Sequence, residues 1–222
     1  MNIKIAPSIL SADFVDIKQA ISDIEKSNAD WIHCDIMDGY FVPNISFGSK
    51  MIADIRQRTN LTLDAHLMVI NPIRYVETFA KSGADNITVH LEACQDNSII
   101  ETLQAIRMLG KKCGVVIKPE TDTRLLMPIL DYCDIILLMS VQPGFSGQSF
   151  LPNSIQRLQQ IKSMITNQNI QIEVDGGINE QNAAQLIQEG ANILVVGNTF
   201  FGAKNRAEIV KQLKKATELV TH

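Results

Sequence analysis

Histidine and aspartate recur at a spacing of two in strand-like stretches of this sequence. In "WIHCDIM" (residues 31–37) His33 and Asp35 are two apart, and in "LTLDAHLMV" (61–69) so are Asp64 and His66. Alternate residues of an extended chain share a face, so each pair projects together. A further aspartate, Asp175, closes the run "IEVD" ahead of Gly176 and Gly177. Imidazole and carboxylate are costly to bury unless something pairs with them. Brought together, His33, Asp35, His66 and Asp175 make a mixed nitrogen and oxygen set that suits a divalent first-row metal: Zn, Fe(II), Mn or Co. Such a cation would offset the burial of the carboxylates. Asp64 either orients His66 or fills a polar interior layer. Asp38, in "DGYFVPN", reads as a turn former. His90, in "TVHLEA", reads as a hydrogen-bonded core residue.

Glycine supplies the second set. "SVQPGFSGQSF" (140–150), "DGGI" (175–178) and "VGNTFF" (196–201) each follow an apolar run. Glycine lets backbone N–H groups approach a phosphate closely, and a helix starting there adds a favourable dipole. Three such loops at one rim point to a phosphate site, against the alternative of tight turns alone. Met37, Met68 and Met139 stand at or near the ends of three runs. They are either core filler or a soft apolar lining of the site.

These residues need elements to hold them. Eight runs rich in Ile, Val and Leu are bounded by Gly, Pro, Asn or Asp: 3–9, 31–37, 61–69, 86–92, 112–119, 134–141, 170–178 and 193–200. Between them lie helical patterns. Residues 13–27 place Phe14, Ile17, Ile21 and Ile24 at helical spacing behind a capping Asp13. Residues 71–83 start with Asn71 as a cap and Pro72 in the first turn, and stop at Gly83. Residues 152–165, 179–190 and 205–220 read the same way, while 121–130 is short and contains Pro128. The hexamers "SNADWI", "SGADNI" and "EGANIL" each join a helix end to a strand, which predicts a left-handed helix stop and a tight turn.

Eight strands alternating with helices over 222 residues predict a single (β/α)8 TIM-barrel domain spanning 1–222. An open dinucleotide-binding sheet would want GxGxxG after the first strand, where the chain instead has "PSILSAD". In a barrel, groups at the C-terminal strand ends meet at one mouth, which would gather Ser8, His33, Asp35, His66 and Asp175.

The composition, 45% hydrophobic and 20% charged with a formal net charge of −4, is that of a soluble globule. No basic stripe points to nucleic acid, and no apolar run reaches the ~18 residues of a membrane span. The N-terminus lacks the pattern of a signal peptide, so a cytoplasmic protein is expected. Cys34, Cys94, Cys113 and Cys133 form no CxxC pair and are expected as buried free thiols.

Taken in order, "IAPSILSADF", "WIHCDIMDGYFVPN", "LDAHLMV", "NPIRYVETFAKSGAD", "TVHLEA", "MSVQPGFSGQSF", "IEVDGGIN" and "GANILVVGNTFFG" resemble the ribulose-phosphate 3-epimerases over nearly the whole chain. The resemblance implies interconversion of D-ribulose 5-phosphate and D-xylulose 5-phosphate in the pentose phosphate pathway. It implies one divalent metal on His33, Asp35, His66 and Asp175, with Asp35 and Asp175 also acting as the acid/base pair. Ser8 and His66 would contact substrate. Gly144, Phe145, Ser146 and Gly147, with Gly176, Gly177, Gly197 and Asn198, would surround the substrate and its phosphate. A homo-oligomer, dimer or hexamer, is also implied. The chain departs from the pattern at Lys118 and at Gly197-Asn198, where a smaller polar residue and Gly-Ser are expected.

The chemistry agrees with the residues. Epimerising C3 of a 2-ketose requires two acid/base groups on opposite sides of the carbon, which strands two and seven can supply. Negative charge on O2 and O3 must be held, and a divalent Lewis acid does this without an organic cofactor. Rival readings are a D-allulose-6-phosphate 3-epimerase, a Schiff-base aldolase using Lys118, and a non-catalytic phosphate-binding barrel.

Overall fold

The computed structural model describes residues 3–94 and 98–216. All eight expected strands form: β1 (Lys4–Pro7), β2 (Trp31–Met37), β3 (Thr62–Met68), β4 (Asn86–His90), β5 (Lys112–Ile117), β6 (Ile135–Met139), β7 (Gln171–Asp175) and β8 (Ile193–Val196). Every pairing is parallel, and the sheet runs β1-β8-β7-β6-β5-β4-β3-β2. The ends of that order, β1 and β2, meet through a parallel bridge between Ser8 and His33, which brings the sheet to a nearly closed barrel.

A device repeated four times ties each even strand to the odd strand before it. Asp30, Asp85, Asp134 and Asn192 stand just before β2, β4, β6 and β8. Their N–H groups donate to the carbonyls of Ile5, Leu63, Cys113 and Ile172. Their side-chain oxygens accept from the N–H groups of the same four residues at 2.8–3.0 Å. A short side chain that only accepts, or can turn its oxygen forward, is what this reciprocal bond requires, hence Asp or Asn. Three of the four positions are those of the repeated hexamers. The left-handed stops expected there are present at Asn28 (φ 60°), Gly83 (φ 105°) and Gly190 (φ 110°).

The helices are α1 (Ile17–Lys26), α2 (Ser49–Arg56), α3 (Val76–Lys81), α4 (Ile99–Met108), α5 (Ser154–Met164), α6 (Ala183–Gln188), α7 (Asn198–Phe201) and α8 (Arg206–Lys215). In α1 the expected Ile21 and Ile24 are buried together with Ala20, while Ile17 is only partly buried. Such helix faces, with the outward side chains of the strands, form one continuous core between barrel and helices. Each fully buried Ile or Leu there contributes roughly 1.5–3 kcal/mol.

Several expectations are corrected. Three helices, α2, α4 and α7, were not among the expected segments; α7 begins at Asn198, where the eighth strand was expected to continue to residue 200. Phe14 lies outside α1, in a 3-10 turn (Phe14–Asp16) capped by Asp13, and its ring meets Phe47 edge-on at 5.5 Å. Asn71 makes no side-chain cap; it takes a left-handed φ of 53° ahead of a 3-10 turn at Pro72–Arg74. Residues 123–132 wind as a 3-10 helix rather than an α-helix, as Pro128 removes a donor inside it. Residues 217–220 of the expected last helix lie outside the described residues. The four thiols are free, but Cys94 is only half-buried.

Strand register dictates what points into the barrel. His33 pairs with Asp64 and Asp64 with Asn86; one pleat higher, Asp35 pairs with His66 and His66 with Thr88. On β7, Glu173 and Asp175 occupy the same two levels as Leu137 and Met139 on β6. The interior is therefore divided. Ala6, Trp31, Ile135, Ile193 and Val195 form one apolar cluster, Val116, Leu137, Met139 and Val141 a second, and the polar residues gather on β2, β3, β4 and β7.

Candidate active site and metal centre

His33, Asp35, His66 and Asp175 converge at the C-terminal ends of β2, β3 and β7. Their ligand atoms all lie within 4.8 Å of one another. His33 Nε2 is 3.3 Å from Asp35 Oδ1 and 3.9 Å from Asp175 Oδ2. His66 Nδ1 is 3.1 Å from Asp35 Oδ1 and 3.9 Å from Asp175 Oδ2. Four ligands placed tetrahedrally about 2.1 Å from one ion stand about 3.4 Å apart. The observed spacings bracket that value. His33 Nε2 is also fully buried without a hydrogen-bond partner. A buried nitrogen without a hydrogen-bond partner beside two carboxylate oxygens is what a cation would satisfy, so these residues fit a divalent metal.

The surroundings set each group's charge. Burial works against a charge on Asp35, but the nearby His33 charge and the contact with His66 hold its carboxyl well below the usual range. Burial and the nearby Asp35 charge push Asp175 up to about 6. Burial opposes charging His33, yet Asp35, Asp64 and Glu173 together raise its pKa well above the ordinary imidazole value. The two aspartates thus sit in environments that drive their protonation apart, the pattern that separates an acid from a base.

Behind the four residues lies a supporting layer. His33 Nδ1 bonds Asp64 Oδ2 at 2.7 Å and stands 3.3 Å from Glu173 Oε1. Asp64 therefore orients His33, not His66. Glu173 is wholly buried, and burial together with the Asp64 charge raises its pKa well above the carboxylate range. His66 Nε2 meets His90 Nε2 at 2.9 Å, and His90 Nδ1 lies 3.2 Å from Glu92 Oε2. Burial depresses His90 to about 4, so it stays neutral. Sequence reasoning missed Glu173 and Glu92 and treated His90 as inert core. The spacing-of-two signal was present for Glu173, which precedes Asp175 as His33 precedes Asp35.

Above the cluster opens a cleft of about 330 Å³. Ser8, Asp35, Asp175, Met37, Met68 and Met139 line its floor, and all three methionines are buried. The loops 144–147, 176–177 and 197–198 form its wall, so every residue expected at the phosphate rim faces the same cleft. The loops hold one another: Asn44 Nδ2 donates to the Gly144 carbonyl at 2.8 Å, and the Asn198 amide packs against Gly147. Ser11, Gln148, Asn179 and Thr199 also line the cleft and were not anticipated. No Lys or Arg is among the lining residues, so an anion there would be held by backbone N–H groups and small polar side chains. Lys118 is not part of the lining; its Nζ lies 4.0 Å over the Phe41 ring. Asp38 is the expected turn former, accepting from the N–H groups of Tyr40, Phe41 and Ile70 at 2.8 Å.

A parallel barrel with histidines, carboxylates and glycine loops at its C-terminal mouth defines a (β/α)8-barrel enzyme. The sequence profile of the ribulose-phosphate 3-epimerase family matches residues 4–201. The chain is 45% identical to the ribulose-phosphate 3-epimerase of Synechocystis over 217 residues, covering 97% of this chain and 94% of that one. It is 43% identical to that of Bacillus subtilis, covering 96% and 98%, and 45% identical to that of Aquifex aeolicus, covering 95% of each. The chain belongs to the ribulose-phosphate 3-epimerase family, and is an isomerase. Two solved structures share the fold at low identity. A 3-keto-L-gulonate-6-phosphate decarboxylase from Vibrio cholerae has a TM-score of 0.75 at 14% identity, covering 100% of both chains. A 3-hexulose-6-phosphate synthase from Salmonella typhimurium has a TM-score of 0.70 at 16%, covering 98% of this chain and 100% of that one.

Proposed function

We propose that the protein interconverts D-ribulose 5-phosphate and D-xylulose 5-phosphate by removing a proton from C3 on one face and returning one to the other. The observation that carries this reading is the approach of Asp35, from β2, and Asp175, from β7, to one cleft with their protonation driven apart. Binding alone does not need two such carboxylates. His33, Asp35, His66 and Asp175 would hold one divalent ion, Zn, Fe(II), Mn or Co, whose Lewis acidity would stabilise negative charge on O2 and O3 of the substrate.

The chain's own residues do the rest. Asp35 turns Oδ1 toward the two histidines and Oδ2 toward Ser8, leaving Oδ2 as the atom to exchange a proton with C3. Asp175, with its carboxyl near neutrality, is matched to the opposite transfer. The loops 144–147, 176–177 and 197–198 would hold the phosphate and so position C3 between the carboxylates. Met37, Met68 and Met139 would keep bulk water from the reacting carbon. No organic cofactor is called for. Among the described residues no helix is long and apolar enough to cross a membrane. Val15, Tyr40 and Ile45 are exposed apolar side chains that a homo-oligomer, dimer or hexamer, would cover.

The test is proton exchange at C3 of D-ribulose 5-phosphate in heavy water, run with and without a chelator and beside D-allulose 6-phosphate. Deuterium should appear at C3 of both pentulose phosphates, and metal removal should abolish it. Exchange with allulose 6-phosphate alone would reassign the substrate. Full activity of a metal-free protein would remove the metal from the reading.

A further inference from the structure

We propose that Glu92 and His90 are positioning residues that set the tautomer of His66, turning its Nδ1 lone pair toward the metal centre. The inference rests on the reading of His66 as a metal ligand.

The argument begins at the far end of the chain of contacts. Glu92 Oε1 accepts from the Lys118 N–H at 2.8 Å and from the Thr121 hydroxyl. A carboxylate so held is an acceptor at both oxygens. Oε2, 3.2 Å from His90 Nδ1, therefore calls for the proton on Nδ1 of His90. A neutral imidazole carries one N–H, so His90 Nε2 is then a bare lone pair. That lone pair faces His66 Nε2 at 2.9 Å and calls for a proton there. With Nε2 protonated, the remaining nitrogen of His66, Nδ1, is the one able to bind a cation, and it faces Asp35 and Asp175. This order of donors holds whether or not Nδ1 also carries a proton before a metal arrives.

The geometry protects the arrangement. His66 and His90 are wholly buried with ring centroids 5.0 Å apart and planes 28° from parallel, and the Phe41 ring lies 4.7 Å from His90. Water cannot supply an alternative partner to either ring nitrogen. On the side away from the metal centre the direction of both imidazoles is set by one carboxylate, anchored to the loop after β5, while on the other side Asp35 Oδ1 lies 3.1 Å from the His66 Nδ1 that a cation would take. Outer partners of ligating histidines commonly fix the tautomer in this way.

Glu92→Gln tests the direction. The Lys118 N–H demands an acceptor, so the new amide must present its carbonyl there and its NH2 to His90. His90 would then protonate on Nε2 and confront the Nε2–H of His66. Two measurements on the full-length chain follow. In histidine-15N-labelled wild type, stripped of metal, long-range proton–nitrogen correlation should show His90 protonated on Nδ1 and bare on Nε2. Zn(II) affinity, read by competition with a chromophoric chelator, should fall roughly 10–100-fold in Glu92→Gln and recover in part in Glu92→Asp. Wild-type His90 protonated on Nε2 would overturn the proposal. So would a folded Glu92→Gln protein that binds Zn(II) within about twofold of wild type. If Glu92→Gln fails to fold, the wild-type tautomer decides alone. If wild type binds no Zn(II), the metal reading fails, and the tautomers still report on the relay.

Discussion

Ser8 donates its hydroxyl to Oδ2 of Asp35 at 2.5 Å, and that bond divides the two oxygens of one carboxylate between two tasks. Oδ1 faces His33 and His66, while Oδ2 is held on the cleft side by a residue at the end of β1. The bridge between Ser8 and His33 that brings β1 to β2 also places this hydroxyl. A closing contact of the fold is therefore an orienting contact of the site.

Ser8→Ala should accordingly lower kcat while leaving metal content unchanged. A hydrogen bond to a charged group is worth about 1.5–3 kcal/mol, so the loss should be on the order of tenfold or more. Steady-state kinetics with elemental analysis of the same sample checks this. Loss of the metal with the hydroxyl would show that Ser8 supports the whole cluster rather than one oxygen.

Metal binding should release protons. His33 has its pKa raised by Asp35, Asp64 and Glu173 against the effect of burial, so at neutral pH it carries a proton that a cation must displace. The sign follows: below the His33 pKa, affinity rises as pH rises, and above it the dependence flattens. Below about 6, Asp175 also takes up a proton and the dependence steepens. Calorimetric titration with Zn(II) in buffers of different ionisation enthalpy counts the protons. No release at pH 7 would mean that His33 is neutral or is not a ligand.

The glycines at the rim divide into two kinds. A Cβ on Gly177, where φ is +64°, would stand 2.4 Å from the Phe150 backbone nitrogen and 2.8 Å from its Cα. Gly177→Ala should destabilise the fold by roughly 2 kcal/mol or more, because neither backbone can yield and the left-handed conformation adds its own cost. Gly197 has an ordinary φ, and its added Cβ meets the Ser11 hydroxyl at 2.5 Å, a side chain that can turn away. Gly197→Ala should keep its thermal midpoint and metal but raise KM for the phosphorylated sugar. Thermal unfolding and KM, measured on both variants, separate the two. An unchanged KM in Gly197→Ala would remove that glycine from the phosphate site.

What the sequence revealed depends on how local the signal was. All eight strands were legible because each is an apolar run ended by turn residues. The convergence of His33, Asp35, His66 and Asp175 was legible because a barrel rule carries strand ends to one mouth. Helix α4 was legible but passed over, since its buried Ile99, Leu103 and Ile106 keep helical spacing, whereas α2 was not legible. In α2 the buried positions reduce to Ile52 and Ile55, too sparse for a pattern. The role of Asp64 required register: only the pairing of His33 with Asp64 across β2 and β3 shows which histidine it serves. His90 and Glu92 stand two apart, as His33 and Asp35 do, but their partners lie elsewhere, His66 on β3 and the loop after β5, and only the folded contacts show that. The fourth member of the repeated strand-start device, Asp134, was hidden because its local sequence, "YCDIIL", lacks the Ala and the preceding Gly or Asn of the other three.

The last prediction concerns the two aspartates themselves. Asn is nearly isosteric with Asp but cannot carry the proton, so Asp35→Asn and Asp175→Asn should each lower the epimerisation rate by ~10²–10⁴-fold. Both residues belong to the set that could hold a metal ion, so metal content must be measured beside the rate. The informative comparison is one-sided exchange. An enzyme with a single working carboxylate can still remove and return a proton on one face, exchanging it with solvent without inverting the carbon. Deuterium uptake into ribulose 5-phosphate and into xylulose 5-phosphate should therefore be followed separately for each metal-loaded variant. Neither should epimerise, and any residual exchange should favour a different sugar in the two. In the metal-free protein Asp35 is held ionised while burial and the Asp35 charge push Asp175 up to about 6, so a titration near 6 expected of metal-free wild type should be missing from metal-free Asp175→Asn. Near-normal epimerisation by either metal-loaded variant would rule out the two-carboxylate mechanism and move attention to His33 or His66 as the missing base.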